Sequence, residues 1–569
     1  MATTKGPTAS KSKTTGGEVS LNLNNLKTAL QAAVAELERL TQESGKADTA
    51  GKAAPSGAAE GAADQIQIWD DDPFLEAVAG ADPVLADPIK ADVPHNDQPL
   101  LQTQIVDQQS DSGIFDPSTP EFRYWNAASA LARGINFWGP LLPEGTVFST
   151  VQHPMRVQLD EGVDFNAFYA RDSGLNFFHG VVDKVDPHVT VFSGESPDVV
   201  CHELGHAILD AVKPELFDAM SIEVGAFHEA FGDISSTLSA LQLPSLRQFV
   251  LDQTGGKLNT NSRLSQLARQ LGWAIRVQIN STEVDNDCLR NTSNNFFYQV
   301  PAGLPPMAPA TQLSSEVHSF SRVFSGAFLD VLAGMFHIGP AGGSGDDSGK
   351  LDAASKDAGK LLIAGVRLAT VVPRFYSQVA AGMIQADQTL SGGRYTNVLS
   401  SSFVQRGILS PTAAVSLVRD LRTHGGQAFS VTRAANGRLQ FEGDNEGYKK
   451  TASDAPALPL RPITTRFGVT LHVHLPAEPY RFAVTAAALA GESEDSPSPE
   501  EGARSYVEDL IQLDHISHEG ATDVIPAELT SPGEASPSDK THRLVKQDGK
   551  TVLKRHHFTC GFPGCKHGR

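Results

Sequence analysis

The sequence predicts an α+β fold, on three observations. A stretch with helical spacing, FRYWNAASALARGINFW, opens a packed region at about residue 119; short strand-like runs, VDFNAFYA and LNFFHGVV, follow it; and from Pro197 onward the apolar periodicity is helical. Within the helical part, Val317, Phe320, Phe324, Ala327, Phe328, Val331, Leu332 and Met335 recur at spacings of three and four, the signature of one buried helix face. A second long helical pattern occupies about 355–386, and the packed region, 119–410, closes near Leu409.

The flanks read differently. Residues 1–118 are expected to be mostly disordered, because long stretches of Gly, Ala, Ser, Thr and Lys offer little apolar surface against the entropy of ordering. Within them, Leu23, Leu26, Leu30, Ala33, Leu37 and Leu40 form a short heptad seam on a helix over 20–42, suited to self-association or to docking on the same chain. After Pro411 another helix precedes FSVTRAANGRLQFEG, where Asn436-Gly437 between alternating runs predicts a hairpin. The strand GVTLHVHLP then carries Val469, Leu471, Val473 and Leu475 on one face, so 411–490 reads as a small α/β appendage. The remainder, 491–569, is acidic and proline-bearing before it turns basic, and reads as a flexible tail.

Composition narrows the function. Lys and Arg total 46 against 66 Asp and Glu, a formal charge of −20, which argues against nucleic-acid and anionic-membrane partners. No apolar stretch resembles a signal-peptide core or reaches the roughly 18 residues of a membrane span, so a cytoplasmic or non-classically exported protein is expected. Four cysteines, Cys201, Cys288, Cys560 and Cys565, are too few for a disulfide-stapled fold.

The chemistry concentrates in SPDVVCHELGHAILDAVKP. On a helix, His202 and His206 lie one turn apart on one face, where both imidazoles can hold one Zn²⁺, with Glu203 beside them near a metal-bound water. A catalytic zinc needs a third protein ligand. Glu229, 229 − 206 = 23 residues after the second histidine and beyond the break at Pro214, can supply it from a neighbouring helix. Asp233, one turn further along, can accept the spare ring N–H of a ligand histidine. Glu223 is a rival third ligand, with a helix-start role as its alternative. His472 and His474 on one strand, and His556, His557, Cys560, Cys565 and His567 near the terminus, are weaker metal-like groupings, and Cys201 reads as a buried apolar residue.

These segments resemble the thermolysin-like zinc peptidases, the gluzincins, over about 119–410. DVVCHELGHAILD is similar to the family's metal helix and GAFHEAFGDI to its third-ligand helix. The resemblance implies a two-lobed domain, β-rich before the metal helix and α-helical after it, with zinc held by His202, His206 and Glu229 and Glu203 as catalytic base. FNAFYARDSGLNFF looks like the family's edge strand, which implies that Asn166 and Ala167 pair with the backbone of a peptide or protein substrate. CLRNTSNN implies that Arg290 contacts a substrate carbonyl, and EVHSFSRVF that His318 stabilises the transition state.

Three departures stand out. Phe217 falls near the place of a tyrosine that donates to the developing oxyanion, and the acidic residue the family carries before His318 has no clear counterpart, Glu316 alone standing nearby, so His318 is expected to have a different orienting partner. Asp198 matches a calcium ligand while Ala240 stands where the next carboxylate is expected, so the family's paired calcium site is expected to be weak or missing. The expected activity is hydrolysis of internal peptide bonds, with an open coordination face on the metal. The alternatives are a zinc-dependent peptide-binding protein of the same fold that does not cut, and a scaffold assembled through the Leu23–Leu40 seam.

Overall fold

A capping threonine followed by a proline starts helix α1, Pro120–Trp138, where the periodicity places it: Thr119 Oγ1 accepts the Phe122 N–H at 3.2 Å, and proline at the first helical position has no N–H left unsatisfied. This computed structural model describes residues 65–76, 83–107, 109–340, 345–424, 431–433, 439–441, 458–477, 497–517, 524–525 and 537–561. The helix expected at 20–42 lies outside them. The described chain is a mixed α+β structure, and no helix in it is long and apolar enough to cross a membrane.

Strand β1, Thr103–Ile105, precedes α1, and β2 Met155–Gln158, β3 Ala167–Ala170 and β4 Gly174–Phe177 come after it. Helix α2, Pro197–Val212, follows and is buried along its whole length; α3, Ile222–Ala240, packs beside it, and α4, Val317–Ile338, packs on α3. The single helical pattern expected over 355–386 is two helices, α5 Asp347–Leu368 and α6 Phe375–Leu390. Pro373 lies between them, where the missing N–H and the ring interrupt the ladder.

Two small residues let α2 and α3 approach closely. A Cβ on Gly205 would lie 2.8 Å from Ser235 Cβ and 3.0 Å from Gly232 Cα, and a Cβ on Gly232 would lie 2.5 Å from the His202 ring. Gly232→Ala is therefore expected to cost about 1–3 kcal/mol of overpacking and to push the His202 imidazole aside. Thermal unfolding and chelator competition for zinc would read both effects; unchanged zinc affinity would show that the ring can yield without consequence.

The described residues between 65 and 118, expected to be mostly disordered, are ordered. Gln65–Ile68 pairs antiparallel with Ile89–Asp92, Ile66, Ile68 and Trp69 are buried, and β1 is the outer strand of the sheet that also holds β2. The packed region thus begins before 119; its apolar residues there are too few and too short-ranged to register against a polar composition.

Among the described residues, the expected C-terminal appendage and the expected flexible tail form one sheet. Ser498 and Glu501 form a reciprocal capping box that starts α7, Pro499–Gln512. Strands β5 Leu460–Thr464 and β6 Thr470–His474 share one sheet with β7 Ile516–Ser517, β8 His542–Gln547 and β9 Lys550–Arg555, in the order β5-β6-β9-β8-β7. Val469, Leu471, Val473 and Leu475 are buried on one face as expected, and Leu544 and Leu553 join them in the same hydrophobic core as α2 and α3. The basic residues interleaved with them made this segment look like a tail. The hairpin across Asn436-Gly437 is present as Val431–Arg433 paired with Leu439–Phe441; its turn lies outside the described residues.

A three-residue strand, β10 His557–Thr559, follows β9 after His556 alone and enters the other sheet, whose order is β10-β3-β4-β2-β1. The chain near its C-terminus therefore covers β3 on the side away from β4.

Candidate metal centre and adjoining cleft

Helix α2 delivers His202, Glu203 and His206 to one buried point, their ligand-bearing atoms all within 4.8 Å of one another. From α3, Glu229 reaches the same point: its Oε2 is 3.3 Å from His202 Nε2 and its Oε1 3.7 Å from His206 Nε2. Donors bound about 2.0–2.1 Å from one tetrahedral ion sit roughly 3.3–3.4 Å apart, so this spacing suits a shared metal. His206 Nε2 and both Glu203 oxygens are buried without a hydrogen-bond partner, a costly state that a cation and its water would relieve. The residues fit a metal such as zinc.

The outer contacts of the ligands favour the same orientation. His202 Nδ1 lies 3.2 Å from Asp233 Oδ1, which leaves Nε2 toward Glu229. His206 Nδ1 is 3.4 Å from Nδ1 of His228, a residue that the sequence reading passed over; one of the two must donate, and a proton on His206 Nδ1 frees Nε2 for a metal. Burial alone would pull His202 down, but its hydrogen bonds to the Asp233 and Glu229 carboxylates outweigh it and hold the ring at about 9. Burial, only partly offset by His202, lifts the Glu203 carboxyl to about 8, and burial drives His206 and His228 well below the usual imidazole range.

Arg290 and His318 flank this point. Arg290 is buried, and its Nε and Nη2 donate to Asp233 Oδ1 at 3.1 and 2.9 Å. His318 Nε2 lies 3.2 Å from Glu229 Oε2, and its Nδ1 is 2.6 Å from Glu316 Oε1. Glu316 is thus the acid that orients His318, while its Oε2 accepts the Ser319 N–H and caps α4. Although burial opposes it, the His318 charge together with these hydrogen bonds pulls Glu316 down to about 2. A carboxylate depressed in the folded state stabilises the fold above its ordinary value near 4.5 and loses that contribution as the pH falls toward 2. Glu316→Gln is expected to remove on the order of 3 kcal/mol of stability at pH 6 and much less at pH 3. Urea unfolding at the two pH values measures the difference, and equal losses at both would rule out this titration as the source.

Asn166 and Ala167 are at the start of β3, but the backbone they present is already engaged. Ala167 O accepts the Cys560 N–H at 2.8 Å. Asn166 Oδ1 accepts from the Thr559 hydroxyl at 2.6 Å and from the Gly561 N–H at 2.9 Å. Arg290 Nη1 donates to Cys560 O at 3.1 Å, and His318 Nε2 is 2.5 Å from Thr559 O. Phe558 stacks on His206 and His228, with ring centroids 4.9 and 3.9 Å away. The face beside the candidate metal ligands, expected to be open, is covered by the chain's own Phe558–Gly561.

Other expectations resolve as follows. Glu223 accepts from the Tyr298 hydroxyl at 2.6 Å and the Tyr376 N–H at 3.0 Å, so it ties the start of α3 to the start of α6 rather than joining the metal point. Phe217 sits edge-on to Phe558 and offers no donor. His557 Nε2 bonds to Ser538 O, His556 lies near Asp172, and Cys560 is beside Arg290, so these three members of the terminal Cys/His grouping have separate partners, while Cys565 and His567 lie outside the described residues. His474 Nδ1 bonds to Leu458 O, which gives that ring a structural partner. Cys201 is buried and free, as an apolar residue would be.

At the expected calcium position, Ala240 offers no carboxylate and Asp198 lies instead with Asp71 and Asp72 around the Arg269 guanidinium. Arg269 Nη2 is 3.0 Å from Asp71 Oδ2 and also donates to Asp72 O. Burial, with Asp71 adjacent, holds Asp198 well above the usual carboxylate range.

Compared with known proteins, the chain matches no family model and no curated sequence.

Proposed function

We propose that this chain is a zinc-dependent endopeptidase of the thermolysin-like kind. The observation that carries the reading is the placement of one carboxylate, Glu229, within 3.3 and 3.7 Å of the Nε2 atoms of His202 and His206, two histidines that share one helical turn with the unpartnered Glu203. A sheet ahead of α2 and helices α3 to α6 behind it are consistent with a two-lobed domain.

Bound by His202, His206 and Glu229, zinc supplies acidification of a water and polarisation of a carbonyl. Glu203, the unpartnered carboxylate beside His202 and His206, would take a proton from a water and return one to the departing nitrogen. His318, held by Glu316, donates from Nε2 to the oxygen on which charge develops. Arg290, steadied by Asp233, and the edge of β3 at Asn166 and Ala167 hold an extended peptide by its backbone.

A second reading, a zinc-dependent peptide-binding protein that does not cut, draws on Phe217, which removes one donor from the oxyanion side. Both readings expect about one zinc per chain. They part on hydrolysis of a mixed peptide library that stops with 1,10-phenanthroline and resumes with zinc. A chain that loads zinc yet cuts nothing, even with Phe558–Gly561 displaced, would decide for the second.

A further inference from the structure

We propose that the C-terminal segment Phe558–Gly561 is an internal occupant of the peptide cleft that excludes substrate, with the Thr559–Cys560 peptide held where a substrate's bond would lie. The inference rests on the peptidase reading for the meaning of the cleft, but not for the occupancy itself.

Each group assigned to peptide recognition already has a partner in this segment. Thr559 O faces His318 Nε2 at 2.5 Å, Cys560 O accepts from Arg290 at 3.1 Å, and Cys560 N–H donates to Ala167 O at 2.8 Å. The Gly561 N–H completes the set on Asn166 Oδ1 at 2.9 Å. The pairing is antiparallel and in register, His557 opposite Ala170, Phe558 opposite Tyr169 and Thr559 opposite Phe168, which is strand addition performed by the same chain. Main-chain bonds of this kind are indifferent to sequence, so a substrate peptide needs the same ones.

Side chains hold the segment in place. Phe558 is buried between the imidazoles of His206 and His228, Phe217 and the Arg555 guanidinium, whose Cζ is 4.1 Å from its ring centroid. Cys560 is buried and free, its Sγ 4.0 Å from Arg290 Nη2. Because β9 precedes β10 with His556 alone between them, the occupant is tethered to a folded sheet and its effective concentration at the cleft is high, on the order of millimolar or more. A free peptide competes poorly against that.

Gly561 offers a way to displace the segment without touching the metal point. A Cβ there would lie 2.9 Å from Asn166 Oδ1 and 3.3 Å from Phe165 O. The experiment uses the full chain with Glu203→Gln, so that nothing is cut, and a fluorescein-labelled peptide copying residues 555–561. Fluorescence anisotropy is expected to show at least ten-fold tighter binding after Gly561→Val is added. In the unsubstituted chain, hydrogen exchange at the Cys560 and Gly561 amides is expected to be slowed at least 100-fold, a reading that does not depend on the variant folding. Equal peptide affinity in the two folded proteins, or exchange of both amides at unprotected rates, would overturn the proposal. Gly561→Val with Glu203 intact that binds peptide and zinc but leaves the peptide whole would end the peptidase reading and leave the occupancy standing.

Discussion

In a chain whose cleft has been opened by Gly561→Val, replacing Glu203 with Gln is expected to lower peptide hydrolysis by about 10²–10⁴-fold while zinc content stays near one per chain. Glu203 touches neither a hydrogen-bond donor nor the solvent, yet it lies within 4.8 Å of the two histidine ligand atoms. A buried carboxylate with no structural partner contributes nothing to the fold that glutamine would forfeit, so unfolding should change little. Turnover and metal content, measured on the same preparation, separate a lost base from a lost metal. Turnover within three-fold of the parent would remove Glu203 from the mechanism.

The largest effect on stability is expected from Arg290→Met, about 3–5 kcal/mol, because it leaves Asp233 charged and buried without its guanidinium. Burial opposes the ionised Asp233, and Arg290 is the strongest of the groups that hold its carboxyl below the usual range. Adding Asp233→Leu should restore part of the loss, since removing both charges leaves no uncompensated ion. The double variant should nevertheless bind zinc roughly 10–100-fold more weakly, because His202 Nδ1 loses the carboxylate 3.2 Å away. Urea denaturation and zinc competition read the two effects apart. A double variant no more stable than Arg290→Met would show that Asp233 is not the source of the cost.

What the sequence made legible follows the range of the interactions. His202, Glu203 and His206 could be placed because one helical turn determines their mutual geometry, and α2 is the helix that the pattern called for. Glu229 and Asp233 followed because a second helix with its own break before it could lie alongside, and Gly205 and Gly232 are the contacts that allow it to. Glu316 was seen as the nearest acid to His318 but not recognised as its partner; only the 2.6 Å contact across the start of α4 reveals it. The C-terminal occupant was illegible for a different reason. Asn166 and Gly561 are 395 residues apart, and β10 is three residues long, so no local pattern could announce which strand it would join. The same remoteness hid the sheet that merges the expected appendage with the expected tail, since β6 and β9 meet at His472 and Val552 alone in register.

The guanidinium of Arg269 among Asp71, Asp72 and Asp198 has a consequence for how this corner of the molecule meets its surroundings. A counter-charge that is covalently part of the polypeptide cannot be diluted away or captured by EGTA, and its local concentration does not vary with the medium. The corner is therefore expected to fold equally well in calcium-poor and calcium-rich fluids, its integrity set at synthesis instead of by ion supply.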